Sequence, residues 1–195
     1  MSDLPEDAEA GMNNQKQFSE TLSSRISAIT DASVDCCLVR LPASSVRLRQ
    51  VRTLAGELDR LLKPEGSAWL TVDDNRTSGG LDGLTWRVAF VLQNDGWLLR
   101  NAVVVGVEDG KCETVLFFVK QARYYFDLSA ARSALGPSRG DVLLAGRTAL
   151  ADRVVLAACP EGGVVLDVTD GPEARAAADR WGRTLVRVPQ AEAVA

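Results

Sequence analysis

Residues 34–73 read VDCCLVRLPASSVRLRQVRTLAGELDRLLKPEGSAWLTVD, and this stretch decides the fold. Val34 to Leu41 is a short apolar run rich in β-branched residues, which predicts a buried strand. Leu48, Val51, Leu54, Ala55, Leu58, Leu61 and Leu62 then recur at intervals of three, four and seven, one stripe of an amphipathic helix. Lys63-Pro64-Glu65-Gly66 predicts a turn, because proline cannot continue a helical ladder, and Ser67 to Asp73 predicts a second strand. Strand, helix and strand in forty residues is the repeating unit of an α/β sheet.

The pattern continues outward. Leu81 to Gln93 has helical spacing and closes at Asn94-Asp95-Gly96. Trp97 to Val107 and Thr114 to Val119 predict two strands. Asp127 can cap a short helix reaching Leu135, since its carboxylate accepts from the open first-turn amides. A brief strand at Val142 to Leu144 precedes a helix over Thr148 to Cys159. Gly163 to Val168 is a strand apolar on both faces; Asp170-Gly171-Pro172 opens a helix to Trp181, and Thr184 to Val188 is the last strand. Upstream, residues 18, 22, 26 and 29 are apolar at helical spacing. The fold expected is a three-layer, Rossmann-like α/β sandwich with a mostly parallel sheet. In such sheets ligands bind beyond the carboxyl ends of strands, which singles out the turns after Leu41, Asp73 and Asp167.

Composition narrows the chemistry. The chain has 195 residues, 46% apolar and 25% charged, enough for one domain with a core that needs no staples. Residues 1–17 are expected to be a disordered acidic tail, 18–190 a single domain and 191–195 a second tail. The acidic start is unlike a secretory leader and no apolar run reaches membrane length, so a cytoplasmic protein without a membrane partner is expected. There is no histidine, which removes imidazole catalysis and His-metal sites. Cys36, Cys37, Cys112 and Cys159 lack zinc-ligand spacing, so no metal is expected and the cysteines read as small buried hydrophobes. Trp69, Trp86, Trp97 and Trp181 read as structural, Tyr124, Tyr125 and Phe126 as core aromatics, and Asp73 and Asp74 as polar turn residues.

Charge is uneven. Residues 36–63 hold six bases (Arg40, Arg47, Arg49, Arg52, Arg60, Lys63) against two acids, whereas the whole chain is −4. The protein is not a general polyanion binder, but Arg47, Arg49 and Arg52 on the first predicted helix are candidate DNA contacts, beside the plainer reading of a solvated helix face.

Several motifs carry a resemblance. Arg60 to Leu70, RLLKPEGSAWL, is similar to the helix–turn–strand element of S-adenosylmethionine-dependent methyltransferases. Gly96-Trp97-Leu98-Leu99-Arg100-Asn101, then Glu113 to Lys120 and Arg123-Tyr124-Tyr125-Phe126-Asp127, follow in the order found in site-specific DNA amino-methyltransferases, which methylate cytosine N4 or adenine N6. Ala157 to Asp167, AACPEGGVVLD, resembles the approach to that family's cofactor loop. The order is that of the permuted subgroup, whose catalytic half precedes its cofactor half.

The resemblance implies a methyltransferase-like fold, but the family's functional positions are altered. Members end their first core strand in Ser/Asp/Asn-Pro-Pro-Tyr/Trp, whose polar group and carbonyl accept from the target amino group and whose ring stacks on the flipped base. Here the tetrad is Arg40-Leu41-Pro42-Ala43. A guanidinium accepts no hydrogen bond, and alanine has no ring. The cofactor loop, Asp-Pro-Phe-x-Gly-Ser-Gly-Thr in the family, reads Asp167-Val168-Thr169-Asp170-Gly171-Pro172-Glu173-Ala174 and keeps only Asp167 and Gly171. Asp170 and Glu173 suit a capped first turn, and the acid expected to bind ribose would fall near Pro189. The expectation is a catalytically inactive relative, with no cofactor, or S-adenosylmethionine if the site is retained. It would act as a binding or regulatory subunit toward DNA or an active methyltransferase, with a homodimer allowed. The alternative is a working N4-cytosine or N6-adenine DNA methyltransferase with divergent motifs.

Overall fold

The computed structural model describes residues 26–41, 47–74, 76–77, 80–106, 112–136, 142–143, 146–168 and 171–188. The chain forms β1 (Val34–Leu41), α1 (Leu48–Leu61), β2 (Leu62–Val72), a two-residue pair β3 (Arg76–Thr77) and β4 (Gly80–Leu81), and α2 (Leu84–Asn94). It continues through β5 (Leu98–Gly106), β6 (Cys112–Val119), α3 (Leu128–Leu135), β7 (Val142–Leu143), α4 (Gly146–Ala158), β8 (Val164–Val168), α5 (Pro172–Arg180) and β9 (Thr184–Arg187).

Seven strands make one sheet in the order β7-β5-β6-β2-β1-β8-β9. All neighbours are parallel except those of β6, which runs antiparallel to both β2 and β5. The expected three-layer α/β sandwich with a mostly parallel sheet is therefore the observed fold. On one face, α1 and α2 bury Val51, Leu54, Leu58, Leu61, Val88 and Leu92 against Cys37, Val39, Leu70 and Phe118. On the other, α4 and α5 bury Leu150, Val154, Val155, Ala174 and Ala177 against Cys36, Leu38, Trp69 and Phe117. The period-two alternation along β1 and β6 sends successive side chains to opposite layers, which is why Cys36 to Val39 and Val115 to Val119 read as continuous apolar runs.

The chain reverses direction of winding between β1 and β8. From β1 it moves through α1 to β2; from β8 it moves through α5 to β9 on the other flank. The neighbours at the point of reversal are thus the first strand and the eighth, paired Leu38↔Asp167 and Val39↔Val168. The carboxyl ends of β1, β2 and β8 consequently share one edge, where ligands bind in sheets of this kind.

Three boundaries differ from expectation. Lys63–Gly66 is not a turn before β2 but a bulge within it: Leu62 pairs with Val34 and Ser67 with Cys36, so three extra residues loop out of β2. Leu62 is already extended and ends α1, because the strand partner competes for its backbone. The helix expected from Leu81 starts at Leu84, after Gly83 in the left-handed region (φ 67°), since Gly80 and Leu81 are taken up by β4. Trp86 lies on α2 with 52% of its surface exposed, so it is not a core residue. Tyr125 and Phe126 are more than a third exposed, but Phe126 still stacks on Phe117 (5.3 Å) beside the Trp69–Phe117 pair (4.1 Å). Cys36, Cys37 and Cys159 are buried as expected, while Cys112 is exposed. Among the described residues no helix is long and apolar enough to cross a membrane, and no group of three or more Asp, Glu or Cys could hold a metal.

Candidate functional site

The site is built from the carboxyl edge of the sheet. Arg40 is the seventh residue of β1 and, by alternation with Cys36 and Leu38, projects into the α4–α5 layer. Its partners come from two other segments, and a third joins through one of them. Asp73, one residue past β2, receives Arg40 Nη2 at 3.1 Å on both carboxylate oxygens. Glu113, second residue of β6, accepts from the same nitrogen at 2.7 Å on Oε1. Glu113 Oε2 also accepts from Arg147 Nε at 3.0 Å, and Oε1 from Arg147 Nη2, which brings in the first turn of α4. Two guanidinium and two carboxylate groups thus close a neutral chain, Asp73–Arg40–Glu113–Arg147, across four segments.

Glu113 is its hub and is 7% exposed. Burial alone would push its carboxyl up, but hydrogen bonds and charge from Arg147 and Arg40 outweigh that and hold it below the usual carboxylate range. Arg147 is correspondingly raised, first by its hydrogen bonds to Glu113. Asp74 is turned elsewhere: its Oδ1 accepts from Leu84 N at 3.1 Å and steadies the start of α2.

Of the tetrad, Arg40 and Leu41 are described, and Pro42 and Ala43 lie outside the described residues. Leu41 points into the α1 layer and is buried. Asp167 lies on β8, 1% exposed, with Arg187 Nε of β9 3.4 Å from Oδ2. Gly171 is the N-cap of α5 with extended backbone (φ −88°, ψ 160°), Pro172 is the first helical residue, and Glu173 is the acid of the first turn. The expected cap residue, Asp170, lies outside the described residues, as do Thr169 and Pro189.

The DNA candidates Arg47, Arg49 and Arg52 are all exposed on α1 or at its cap, with Arg52 Nε 3.2 Å from an Asp95 carboxylate oxygen. Arg60 and Lys63, by contrast, are committed inward. Arg60 donates to Glu57, to Asp31 and to the Ile26 and Ile29 carbonyls; Lys63 Nζ donates to both oxygens of Asp35 (2.8 and 2.9 Å).

Sequence reasoning placed Arg40 at the site but missed its partners. Asp73 read as a turn residue, while Glu113 and Arg147 drew no attention. The available signal was parity: Glu113 precedes Val115, Phe117 and Val119 in steps of two, so a charge in that register faces the α4–α5 layer and needs a partner there.

No protein-family profile matches the chain. Among curated relatives, Type II methyltransferase M.XycI of Xanthomonas campestris pv. cyanopsidis is 29% identical over 125 aligned positions, covering 44% of this chain and 42% of that protein. Type II methyltransferase M.SfiI of Streptomyces fimbriatus is 34% identical over 104, covering 39% of this chain and 25% of that one. The chain spans less than half the length of the curated relatives it matches. Among solved structures, PvuII DNA methyltransferase (cytosine-N4-specific) superposes with a TM-score of 0.69 at 12% identity, over 83% of this chain and 77% of that one. A putative DNA modification methylase of Thermus thermophilus, complexed with S-adenosyl-L-methionine, gives 0.66 at 19% identity over 90% and 87%. The chain thus has the fold of these solved DNA methyltransferases and is similar in sequence, over less than half of its length, to Type II methyltransferases.

Proposed function

We propose that this chain is a DNA amino-methyltransferase-like domain that does not transfer methyl groups and serves as a binding or regulatory subunit, with DNA or an active methyltransferase as partner. One observation carries the reading: at the position where the family's acceptor side chain stands, Arg40 is tied to Glu113 and Asp73 at 2.7–3.1 Å. A target amino group needs an acceptor there as it gains positive character. Arg40 offers only donors and a like charge, and its neighbours' lone pairs are engaged by Arg40 and Arg147.

The residues of the cofactor loop fit S-adenosylmethionine poorly. Open glycine backbone and free amides at the head of α5 would be needed for the methionine end. Pro172 removes one amide and Glu173 places a carboxylate in the first turn, where the helix dipole would otherwise favour the ligand's own carboxylate. Asp167, the surviving acid, is drawn toward Arg187 inside the sheet.

Titration calorimetry of the purified chain with S-adenosylmethionine tests the reading. The expected result is no saturable heat. One-to-one binding would favour the second reading, a methyltransferase with divergent motifs, which the retained Asp167 and Gly171 and the enzymatic names of the relatives support.

A further inference from the structure

We infer that a cavity at the amino edge of the sheet, opposite the Arg40 site, binds a ribonucleoside monophosphate, with Arg123 on the phosphate, Glu65 on the ribose diol and Tyr125 on the base. The inference goes beyond the proposed function and requires neither methyl transfer nor DNA.

The cavity has a volume of about 270 Å³ and lies between the β2 bulge, residues 123–125 after β6, and Pro160 before β8. Asp35, second residue of β1, also lines it. Arg40 is five residues further along the same strand, about 16 Å away at about 3.3 Å per residue, so the two sites stand at opposite ends of the sheet. The bulge is fixed from both sides. Tyr125 N donates to Glu65 O at 2.9 Å. A Cβ on Gly66 would stand 2.9 Å from Asp35 O, so glycine is what lets the bulge close against β1. Bulges recur beside binding sites, where they re-aim side chains.

The lining divides into groups the fold has used and groups it has left. Lys63 Nζ gives two donors to Asp35 (2.8 and 2.9 Å), and the two charges cancel. Tyr124 is committed as well: its ring meets Phe117 edge-on at 5.7 Å and its hydroxyl accepts from Arg100 Nε at 3.2 Å. Arg123, Glu65 and Tyr125 remain. Their side chains make no hydrogen bond, ion pair or ring contact among the described residues, and all three are exposed. Burial, with Asp127 adding to it, raises the Tyr125 hydroxyl, which therefore stays a proton donor at neutral pH.

The chemistry of these three selects the ligand. A guanidinium forks onto phosphate oxygens. A carboxylate only accepts, and the vicinal hydroxyls of ribose offer it two donors. An exposed tyrosine ring stacks on any base. With Lys63 and Asp35 cancelling, Arg123 is the one positive charge left and stands in the same lining as the Glu65 carboxylate, which suits a single phosphate and opposes a longer chain. Size agrees, since a nucleoside monophosphate of roughly 20 non-hydrogen atoms belongs at the small end of ligand cavities, about 300 Å³.

The test is titration calorimetry of the full chain with AMP, GMP, CMP and UMP. Saturable one-to-one binding of at least one of them is expected. Arg123→Gln should weaken it about 10-fold or more, and Glu65→Gln about threefold or more. The Glu65→Gln loss should vanish with the matching 2′,3′-dideoxynucleoside monophosphate, which lacks the diol. Arg175→Gln, an exposed base on α5, should leave affinity unchanged. Circular dichroism of the variants should match wild type, since the replaced side chains are exposed. No saturable heat from any of the four nucleotides at about 1 mM would overturn the inference, as would undiminished affinity in Arg123→Gln. Equally tight binding of ribose 5-phosphate would show that the base adds nothing and overturn the nucleotide assignment. Displacement by S-adenosylmethionine would move the nucleotide to the cofactor loop and overturn the amino-edge site.

Discussion

Replacing Glu113 by glutamine keeps the shape of the hub and removes its charge. In wild type the carboxylate accepts from Arg40 Nη2 at 2.7 Å and Arg147 Nε at 3.0 Å, with Arg147 Nη2 as a third donor. Hydrogen bonds to charged groups contribute about 1.5–3 kcal/mol each net when well buried. Glu113 has 8% of its side chain exposed, but Arg40 and Arg147 are 24% and 44% exposed and can fall back on water, and Asp73 still holds Arg40. The loss is therefore smaller than the roughly 3–5 kcal/mol typical of breaking a fully buried pair, and about 2 kcal/mol is expected for Glu113→Gln near pH 7. The pH dependence follows from the depressed carboxyl. An unfolded glutamate titrates near about 4.3, and the native one below that, so the ion pairs stabilise the fold fully above the unfolded value and lose that contribution as pH falls through the native one. The deficit of Glu113→Gln should thus shrink as the medium is acidified below about pH 4. Urea unfolding followed by tryptophan fluorescence at a series of pH values measures it. A variant within about 0.5 kcal/mol of wild type at pH 7, or a deficit unchanged by acid, would refute the reasoning.

Other consequences are simpler to check. Gly56 lies mid-helix in α1 with nothing within 4 Å of where a Cβ would stand, so Gly56→Ala should raise stability by about 0.5–1 kcal/mol in a thermal melt. Asp35 ties the amino ends of three strands through Lys63 and the Val164 amide (2.8 Å), so Asp35→Ala should cost about 2–3 kcal/mol by urea unfolding. In native protein iodoacetamide should modify Cys112 alone, with all four cysteines reacting after unfolding, counted by mass spectrometry. Burial pushes the Cys37 thiol up to about 12, and the hydrogen bond with Cys159 raises Cys36.

Much of the architecture was legible because its signals are local. The stripe of α1, the capping carboxylate of Asp127, which accepts from Ala130 N at 3.0 Å, and the apolar runs of β1 and β8 needed no tertiary knowledge. The antiparallel setting of β6 and the bulge at Lys63–Gly66 were not, since both are fixed by which strand lies alongside. The site divided in the same way. Arg40 could be located by motif order, but its meaning depends on Glu113 and Arg147, which lie 73 and 107 residues further on and meet it only through the sheet. Asp73 illustrates the cost of a local rule: after a strand, an aspartate is usually a turn residue, and here it closes the ion-pair chain.

The most direct test of the central claim is transfer of a labelled methyl group from S-adenosylmethionine to unmethylated genomic DNA by the purified chain, with nucleosides resolved by mass spectrometry and a competent DNA methyltransferase as positive control. The account predicts no labelled N4-methylcytosine or N6-methyladenine above a protein-free blank. Catalytic appearance of either nucleoside, abolished by substituting Asp167, would contradict it.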